Sequence, residues 1–307
     1  MSRNICITAV DGQTGFLIAE LILKNRDFSR KVDSVVGLSL NPQSPRAQEL
    51  RDMGVSIFHH APGKERAMVT SLKETGCDTI CLIPPAHEEK FDITVELINA
   101  AKKADIPNVL FISSAGCDYA DPLKQPRLRE FIDLESLVLE AKGDPKVSTG
   151  HSPCVIRRIV TTSRIVSAAL TLDQDVAQVA GHVLTGKGKQ GFDDKHRGQM
   201  MVVTGPQLCA GKELATAASK ALGADMEFEN ISEAEARKLL KTQSDIDSSE
   251  QQYLLEYYQL VREGKTNYIA TTAFHDVTGN HPTEPESFFD IYADELRPKK
   301  KVKRHST

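Results

Sequence analysis

The stretch that decides the fold is NICITAVDGQTGFLIAELILK, residues 4–24. Its first part, Asn4–Val10, is apolar and predicts a buried β-strand, and its last part, Phe16–Lys24, predicts a helix. Between them, Gly12 and Gly15 allow a tight turn whose backbone can approach a pyrophosphate, with the free N–H groups of the helix facing the negative charge. A strand, a glycine turn and a helix in this order predict a nucleotide-binding fold.

The turn departs from the usual dinucleotide-binding pattern at one position. Ala9 replaces the first glycine, so the spacing reads Ala9-x-x-Gly12-x-x-Gly15. Because a motif of this kind is weak by itself, the alternative is that the two glycines only turn the chain.

Composition narrows the function classes. The chain has 307 residues, 40% of them hydrophobic, with a net charge of -4 and a pI near 6.2. These values predict a soluble cytoplasmic protein that does not bind nucleic acid directly, and no apolar run approaches the roughly twenty residues needed to cross a membrane. The chain enters a strand at once, so we expect no signal peptide. The six cysteines show no paired metal-ligand spacing and predict buried, reduced thiols and no metal site.

Apolar strands alternate with helical segments through the first half of the chain. This rhythm predicts an α/β fold with a doubly wound parallel Rossmann sheet covered on both faces. The alternation of strands and helices is lost in the second half of the chain. This change predicts a smaller, mostly helical C-terminal substrate lobe with some segments returning to the sheet. The predicted units are residues 1–157 for the NAD(P)-binding domain, 158–296 for the lobe and 297–307 for a basic tail. The tail is interpreted as a nuclear import signal, an anion-binding arm or a solvated end without a dedicated role.

The ends of parallel strands meet at one edge of a doubly wound sheet, and that edge can be read from the sequence. The residues that follow the predicted strands there are the candidate cofactor ligands. They are Gly12, Gln13, Thr14, Gly15, Phe16, Leu40, Asn41, Pro84, Pro85 and Ser113.

Several segments together resemble the NmrA-like family, the atypical branch of the short-chain dehydrogenases that includes isoflavone-reductase-like enzymes. The resemblance is strongest to filamentous-fungal members and covers nearly the whole chain. It implies NADP as cofactor, with NAD left open, and a role as a reductase, as a redox-linked cyclisation enzyme, or as a dinucleotide sensor that binds a transcription factor. The segments that carry it are residues 8–15, 41–42, 83–86, 95–114, 150–157, 175–180, 204–206, 274–279 and 282–285.

Two departures from the family pattern concern the cofactor. Family members that prefer NADP usually carry an arginine where this chain has Leu40, and its guanidinium would hold the 2′-phosphate. No carboxylate ends the second strand either, as an NAD enzyme would require. Arg46 and Lys64 follow in nearby turns and are interpreted as surface charges, with a contact to the adenosine end as the alternative.

The catalytic residues of the relatives are also absent. Tyr119 and Lys124 do not have the Tyr-x-x-x-Lys spacing, in which the lysine lowers the pKa of the tyrosine that donates a proton. The lysine of isoflavone-reductase-like enzymes is replaced by Phe131 or Ile132. Other polar residues near the expected nicotinamide end remain as candidates. Ser114, His151 and Lys124 are the candidate catalytic residues. His151 is alternatively a loop residue that orders the turn, and Ser113 a strand-end hydroxyl that satisfies backbone groups. Arg157 is interpreted as an anchor for a carboxylate or a carbonyl.

The segment 158–174 is short compared with similar proteins, so the pocket wall is reduced. An open site would suit a bulky polycyclic substrate, and a degenerate site would suit a protein without catalysis. Two main hypotheses follow. The first is an NAD(P)-dependent oxidoreductase of fungal secondary metabolism acting on a small molecule. The second is a non-catalytic dinucleotide sensor with a protein partner. A chain that binds no dinucleotide is the third reading.

Overall fold

A parallel sheet forms the centre of the molecule. The computed structural model describes residues 3–140, 153–158, 173–188, 192–242, 247–266 and 271–297. Within these ranges the strands are β1 (Asn4–Ile7), β2 (Ser34–Ser39), β3 (Ser56–His59), β4 (Thr79–Leu82), β5 (Asn108–Ser114), β6 (Cys154–Arg158) and β7 (Met200–Val203). All neighbouring strands run parallel, in the order β3-β2-β1-β4-β5-β6-β7. The predicted doubly wound α/β fold is confirmed.

Helices cover both faces of this sheet. In the described residues they are α1 (Gln13–Lys24), α2 (Arg26–Ser29), α3 (Pro45–Asp52), α4 (Glu65–Glu74), α5 (Lys90–Lys103), α6 (Pro126–Glu140), α7 (Asp173–Leu184), α8 (Gly211–Leu222), α9 (Glu233–Thr242), α10 (Ser248–Arg262), α11 (Ala273–Thr278), α12 (Pro285–Ile291) and α13 (Ala293–Leu296). Helices α1 and α7 pack on one face, and α4, α5 and α6 pack on the other. In the part of the chain that the structure describes, no helix is both long and apolar enough to span a membrane.

The strands read as continuous apolar runs because both of their faces are covered. Ile5 and Ile7 belong to the core beneath α1 and α7, whereas Cys6 between them belongs to the core beneath α4 and α5. This alternation is the two-residue period of a strand. The six cysteines are all buried free thiols.

Strands β1 and β4 adjoin at the point where the sheet order reverses, and Thr8 joins their ends. The Thr8 backbone N–H donates to the carbonyl of Cys81 at 3.0 Å. Its hydroxyl donates to the Ile83 carbonyl at 3.0 Å and accepts from the Ile83 N–H at 2.7 Å. The chain therefore leaves both strands in a defined direction, which sets where the glycine turn begins.

Two elements beyond residue 158 are integral to the sheet layers. Strand β7 extends the sheet beside β6, and α7 packs along α1. Buried Arg3 holds the end of α7 by donating to the carbonyls of Leu184 at 2.9 Å and Gly186 at 2.8 Å. At the start of α7, the Asp175 carboxylate accepts from the N–H and hydroxyl of Thr283, at 3.0 and 2.8 Å.

Helix α10 of the C-terminal lobe, which we define as α8–α13, covers the carboxyl end of β5. Its Tyr253 and Leu254 belong to an apolar cluster with Ala115 and Phe131. Buried Lys90 connects three helices here, because its ammonium lies 4.1 Å from the centre of the Phe131 ring and 5.5 Å from that of Tyr253. Helix α10 is therefore attached directly above the end of β5.

The same ammonium also has polar partners. It donates to the carbonyl of Arg127 at 2.7 Å and lies 3.1 Å from the carboxylate of Glu130. Burial lowers the pKa of Lys90 to about 8, although the charge of Glu130 opposes this shift.

Replacing Thr8 with valine tests the junction of β1 and β4. The change keeps the shape but leaves the buried N–H and carbonyl of Ile83 without the hydroxyl, so we expect a loss of about 2–4 kcal/mol in the free energy of unfolding. Urea denaturation measures it. Thr8→Ser keeps the hydroxyl and serves as the matched control, and an equal loss in both variants would contradict a role for the hydrogen bonds.

The lowered pKa of Lys90 predicts a pH dependence of stability. Between about pH 8 and pH 10.5 the unfolded chain binds more protons at this side chain than the folded one, so the free energy of unfolding rises with pH in that window. Relative to Lys90→Met, we expect the native protein to gain about 1–3 kcal/mol from pH 8 to pH 10.5. Denaturation of both proteins across this pH range measures the difference. Parallel curves of the free energy of unfolding against pH would contradict the lowered pKa of Lys90.

Candidate functional site

The glycine turn keeps its shape despite the alanine at its first position. Ala9 has a left-handed backbone with φ of 44°, and its carbonyl accepts a hydrogen bond from the Gly12 N–H at 3.0 Å. A residue with a Cβ adopts this conformation at a cost of roughly 1–2 kcal/mol. The substitution that weakened the sequence motif therefore leaves the turn intact.

The two glycines have different roles in the turn. A Cβ on Gly15 would lie 2.5 Å from the Ala9 carbonyl oxygen and 2.8 Å from the Cα of Val10, so Gly15 is required for α1 to pack against the end of β1. Gly12 is exposed, and a Cβ there would lie 3.1 Å from the Ala9 oxygen. Gly15 thus serves packing, whereas Gly12 lies on the exposed outer side of the turn.

The start of α1 suits an anion. Gly12 caps the helix without a side-chain hydrogen bond, and the first turn contains no acidic residue. The N–H groups and the helix dipole at such an end favour phosphate. Gln13 is exposed, Thr14 is buried and Phe16 is half-buried, so the predicted ligands of this turn lie on one helix end.

The predicted adenosine end of the site lies beside the turn, between β2 and α3. Leu40 packs against an apolar core cluster, and Asn41 is exposed beside it. The Nη2 of Arg46 donates to the Oε1 of Gln13 at 2.6 Å, and its guanidinium carbon lies 5.9 Å from the centre of the Phe16 ring. Arg46 is exposed, as expected of a surface charge, but it also contacts the glycine turn.

Two prolines follow β4, at the place where the strand order of the sheet reverses. Pro84 is half-buried and Pro85 is buried, directly after the Ile83 that Thr8 holds. Because proline has no N–H, these residues offer an apolar surface rather than hydrogen-bond donors. Their role in binding cofactor stays a prediction.

A buried charged cluster lies beneath the end of β5. Arg157 binds Glu135 through two hydrogen bonds, Nε to Oε1 at 2.9 Å and Nη2 to Oε2 at 2.8 Å, and also lies 3.1 Å from Asp118. Burial opposes the charge of Arg157, but its two acidic partners outweigh this effect and raise its pKa. Ser113 donates to Glu135 at 2.5 Å. The arginine thus anchors carboxylates, as one sequence interpretation held.

Ser114, the first candidate catalytic residue, is fully buried. Its hydroxyl lies 2.7 Å from the hydroxyl of Tyr253 on α10. Lys124 is exposed in the loop before α6, and His151 lies outside the described residues. The structure therefore joins Ser114 to a tyrosine of the lobe, and the catalytic assignments of Ser114, Lys124 and His151 stay predictions.

Tyr253 and Glu135 were not predicted as site residues, and Arg46 was predicted as a surface charge with a role at the site only as the alternative. Tyr253 is 139 positions from Ser114, Glu135 is 22 from Arg157, and Arg46 is 33 from Gln13. No local spacing signals such pairs. Among the residues that the structure describes, no cluster of three or more His, Cys, Asp or Glu side chains could hold a metal ion.

The fold matches solved reductases over almost the whole chain. An NADPH-dependent quinone oxidoreductase from Escherichia coli, solved with NADPH, is 18% identical with a TM-score of 0.73, covering 94% of this chain and 99% of that one. Triphenylmethane reductase from Citrobacter sp. is 16% identical with a TM-score of 0.72, covering 95% and 100%. Leucoanthocyanidin reductase from Vitis vinifera, also solved with NADPH, is 15% identical with a TM-score of 0.67, covering 95% and 99%.

Curated relatives match shorter segments, and no family model matches the chain. Prestalk A differentiation protein A of Dictyostelium discoideum is 31% identical over 114 residues, 37% of this chain and 35% of that protein. An NmrA-like family domain-containing protein of the same organism is 20% identical over 152 residues, 48% of each chain. The chain thus spans between about a third and a half of the curated relatives it matches. The likeness to filamentous-fungal members stays a prediction, but the resemblance to the NmrA-like family is confirmed: the chain is homologous to an NmrA-like domain protein and has the fold of NADPH-dependent reductases.

Proposed function

We propose that this protein binds NADPH at the glycine turn and reduces a small organic substrate. The observation that carries the proposal is the start of α1, an uncapped helix end with an open glycine approach and an arginine beside it. Solved proteins of the same fold, named as NADPH-dependent or complexed with NADP(H), support the choice of cofactor. When bound, NADPH supplies a hydride.

Three groups of residues would hold the dinucleotide. The turn from Gly12 to Phe16 suits the pyrophosphate, and Leu40 and Asn41 border the adenosine end. Pro84, Pro85 and Ser113 lie at the ends of the central strands and would border the nicotinamide end.

The chemistry at the nicotinamide end would use hydroxyl groups rather than a Tyr-x-x-x-Lys pair. The hydroxyls of Ser114 and Tyr253 form a buried hydrogen-bonded pair at the end of β5, and this pair would donate a proton to the substrate. Phenols are good proton donors when a substrate oxygen gains charge, so Tyr253 is the acid on this proposal and Ser114 orients it. Access to the pair requires movement of α10, which now covers it.

The substrate is proposed from chemical class alone. The structural relatives are named as quinone, triphenylmethane dye and leucoanthocyanidin reductases, and we propose an organic ring compound as substrate. A bulky polycyclic substrate, as the short segment after β6 suggested, is consistent with this class. A role in fungal secondary metabolism, including redox-linked cyclisation, belongs to the same proposal.

A second candidate function is a dinucleotide sensor with a protein partner. It is favoured by one observation: both serine hydroxyls at the end of β5 are fully buried and already engaged, Ser113 by Glu135 and Ser114 by Tyr253. On this reading the dinucleotide would be bound and not oxidised. Failure of α10 to move would leave the hydroxyl pair inaccessible to any substrate.

Calorimetry with NADPH, NADH and their oxidised forms tests the binding. We expect NADPH to bind and Gly12→Trp to abolish binding, because the new side chain fills the open side of the turn. Gly12 has an ordinary φ of -73°, but a Cβ there would lie 3.1 Å from the Ala9 carbonyl oxygen, so thermal unfolding must verify that the variant folds. Absence of binding by the native protein would overturn both the reductase and the sensor.

NADPH oxidation separates the two functions. With a quinone or triphenylmethane dye as acceptor, we expect absorbance at 340 nm to fall, and Tyr253→Phe to reduce kcat by about 10²–10⁴-fold, as general acids contribute, with NADPH affinity unchanged. Tyr258→Phe, on the same helix, is the matched control. An unchanged kcat in Tyr253→Phe would remove this hydroxyl from the chemistry, and NADPH binding without oxidation by any acceptor would favour the sensor.

A further inference from the structure

A second cavity lies at the opposite edge of the sheet from the glycine turn. Its volume is about 320 Å³, and it opens where α7 ends and the chain returns toward β7. Arg3, directly before β1, donates to the carbonyl of Gly186 on its wall at 2.8 Å, which places the cavity at the amino ends of the strands. Five of the side chains that line it are cations or can become cations: Lys31, His182, Lys187, Lys195 and His196.

The cavity carries an excess of positive charge, although the chain as a whole has a net charge of -4. Asp193 is the one carboxylate among the lining side chains that the structure describes, and it accepts from the backbone N–H of Lys187 at 3.2 Å. The three lysines form no ion pair with a described residue. The ammonium of Lys31 is held beside α2 by the Phe28 ring, 5.6 Å from its centre. Three lysines against one aspartate leave two positive charges in excess, with both histidines neutral.

Both histidines respond to these lysines. Burial lowers the pKa of His182, and the charges of Lys31 and Lys195 lower it further. Burial also lowers the pKa of His196, and the charge of Lys195 adds to this effect, whereas the charge of Asp193 opposes it. The positive charges therefore converge on the same side chains of the cavity wall.

His196 brings a polar atom without a partner to this wall. Its side chain lines the cavity and is 5% exposed, and no described residue forms a hydrogen bond with the buried Nδ1. An unsatisfied buried polar atom costs about 1–3 kcal/mol, so a ligand that accepts a hydrogen bond there is favoured. The imidazole donates through Nδ1 when this atom carries the proton, and it gains a positive charge when both nitrogens are protonated.

The end of α7 does not account for these cations. Positive side chains often lie near the end of a helix, because the last carbonyls carry partial negative charge. Here Arg3 already donates to the carbonyls of Leu184 and Gly186, at 2.9 and 2.8 Å. The helix end is thus neutralised by a guanidinium, and the lysines of the cavity exceed that requirement.

We propose that this cavity binds a phosphate monoester, as a ligand site separate from the glycine turn. A phosphoryl dianion matches the two excess positive charges and accepts hydrogen bonds from the ammonium groups and from the imidazole of His196. A volume of about 320 Å³ is near the lower end of small-molecule sites, which span roughly 300–1,000 Å³, so the organic part of the ligand is small. Binding here is independent of the proposed dinucleotide site.

Calorimetric titration with inorganic phosphate and with glycerol 3-phosphate, at constant ionic strength, tests the proposal. We expect both probes to bind the native protein. Lys31→Ala and Lys195→Ala should each weaken binding about 10- to 100-fold, the range for hydrogen bonds to charged groups. His196→Phe keeps a ring and removes Nδ1, so it should weaken binding as well, and thermal unfolding verifies that this variant folds.

Lys73→Ala is the matched control. Lys73 is an exposed lysine in the last turn of α4, on the other face of the sheet, so its removal takes the same charge from a helix end outside the cavity. Both affinities should stay within about twofold, as expected for a screened surface charge. A loss in Lys73→Ala equal to that in Lys31→Ala would show a general charge effect and overturn the site.

The start of α1 is also expected to attract phosphate, so the titrations are repeated with Gly12→Trp. We expect this variant, once thermal unfolding shows it folded, to keep the phosphate affinity that Lys31→Ala and Lys195→Ala lose. Phosphate binding that disappears in folded Gly12→Trp, or that persists unchanged in both lysine variants of the native protein, would overturn the proposal. Exclusion of glycerol 3-phosphate while inorganic phosphate binds would restrict the cavity to the free ion and overturn the proposed ligand class.

Discussion

The close approach of α1 to the end of β1 is the constraint on which the site depends. At Gly15 the helix and the Ala9–Val10 backbone are so near that a single Cβ would meet the Ala9 carbonyl oxygen at 2.5 Å. Thr8 fixes the other side of this point by joining the ends of β1 and β4. The start of α1 thereby lies beside the point where the strand order of the sheet reverses, between β1 and β4. Doubly wound sheets bind their ligands at this point. The left-handed backbone of Ala9 is tolerated because the N–H groups of its neighbours, Thr8 and Val10, are hydrogen-bonded to the adjacent strands.

Two polar systems connect this edge to the rest of the molecule. Glu135 and Arg157 neutralise each other beneath the end of β5, where an unpaired buried charge would cost several kcal/mol. Above the same strand end, Ser114 meets Tyr253 and Lys90 lies against its ring, which joins the lobe to the sheet. The end of β5 is therefore surrounded by charges and hydroxyls that already have partners. On the proposed function, catalysis at this strand end would require α10 to move, whereas binding at the glycine turn would not.

The predictions from sequence differ in quality along the chain for a physical reason. Helix α1 (Gln13–Lys24) ends at its predicted residue, because an amphipathic helix leaves a periodic signal in the sequence. Strand β1 ends at Ile7, three residues before the predicted end, because the chain already turns toward α1. The short helices α2 and α11–α13 had no such signal, since four to seven residues are too few to show a period.

The sequence by itself determined the parallel α/β fold and the place of the glycine turn, since apolar period and glycine spacing are local properties of the chain. Tertiary structure alone decided which side chains meet at the site. Arg46 reaches Gln13, Glu135 takes both Ser113 and Arg157, and α10 carries Tyr253 to the end of β5. These contacts join residues up to 139 positions apart. Their partners are chosen by how helices pack over the sheet, and no single segment of sequence encodes that arrangement.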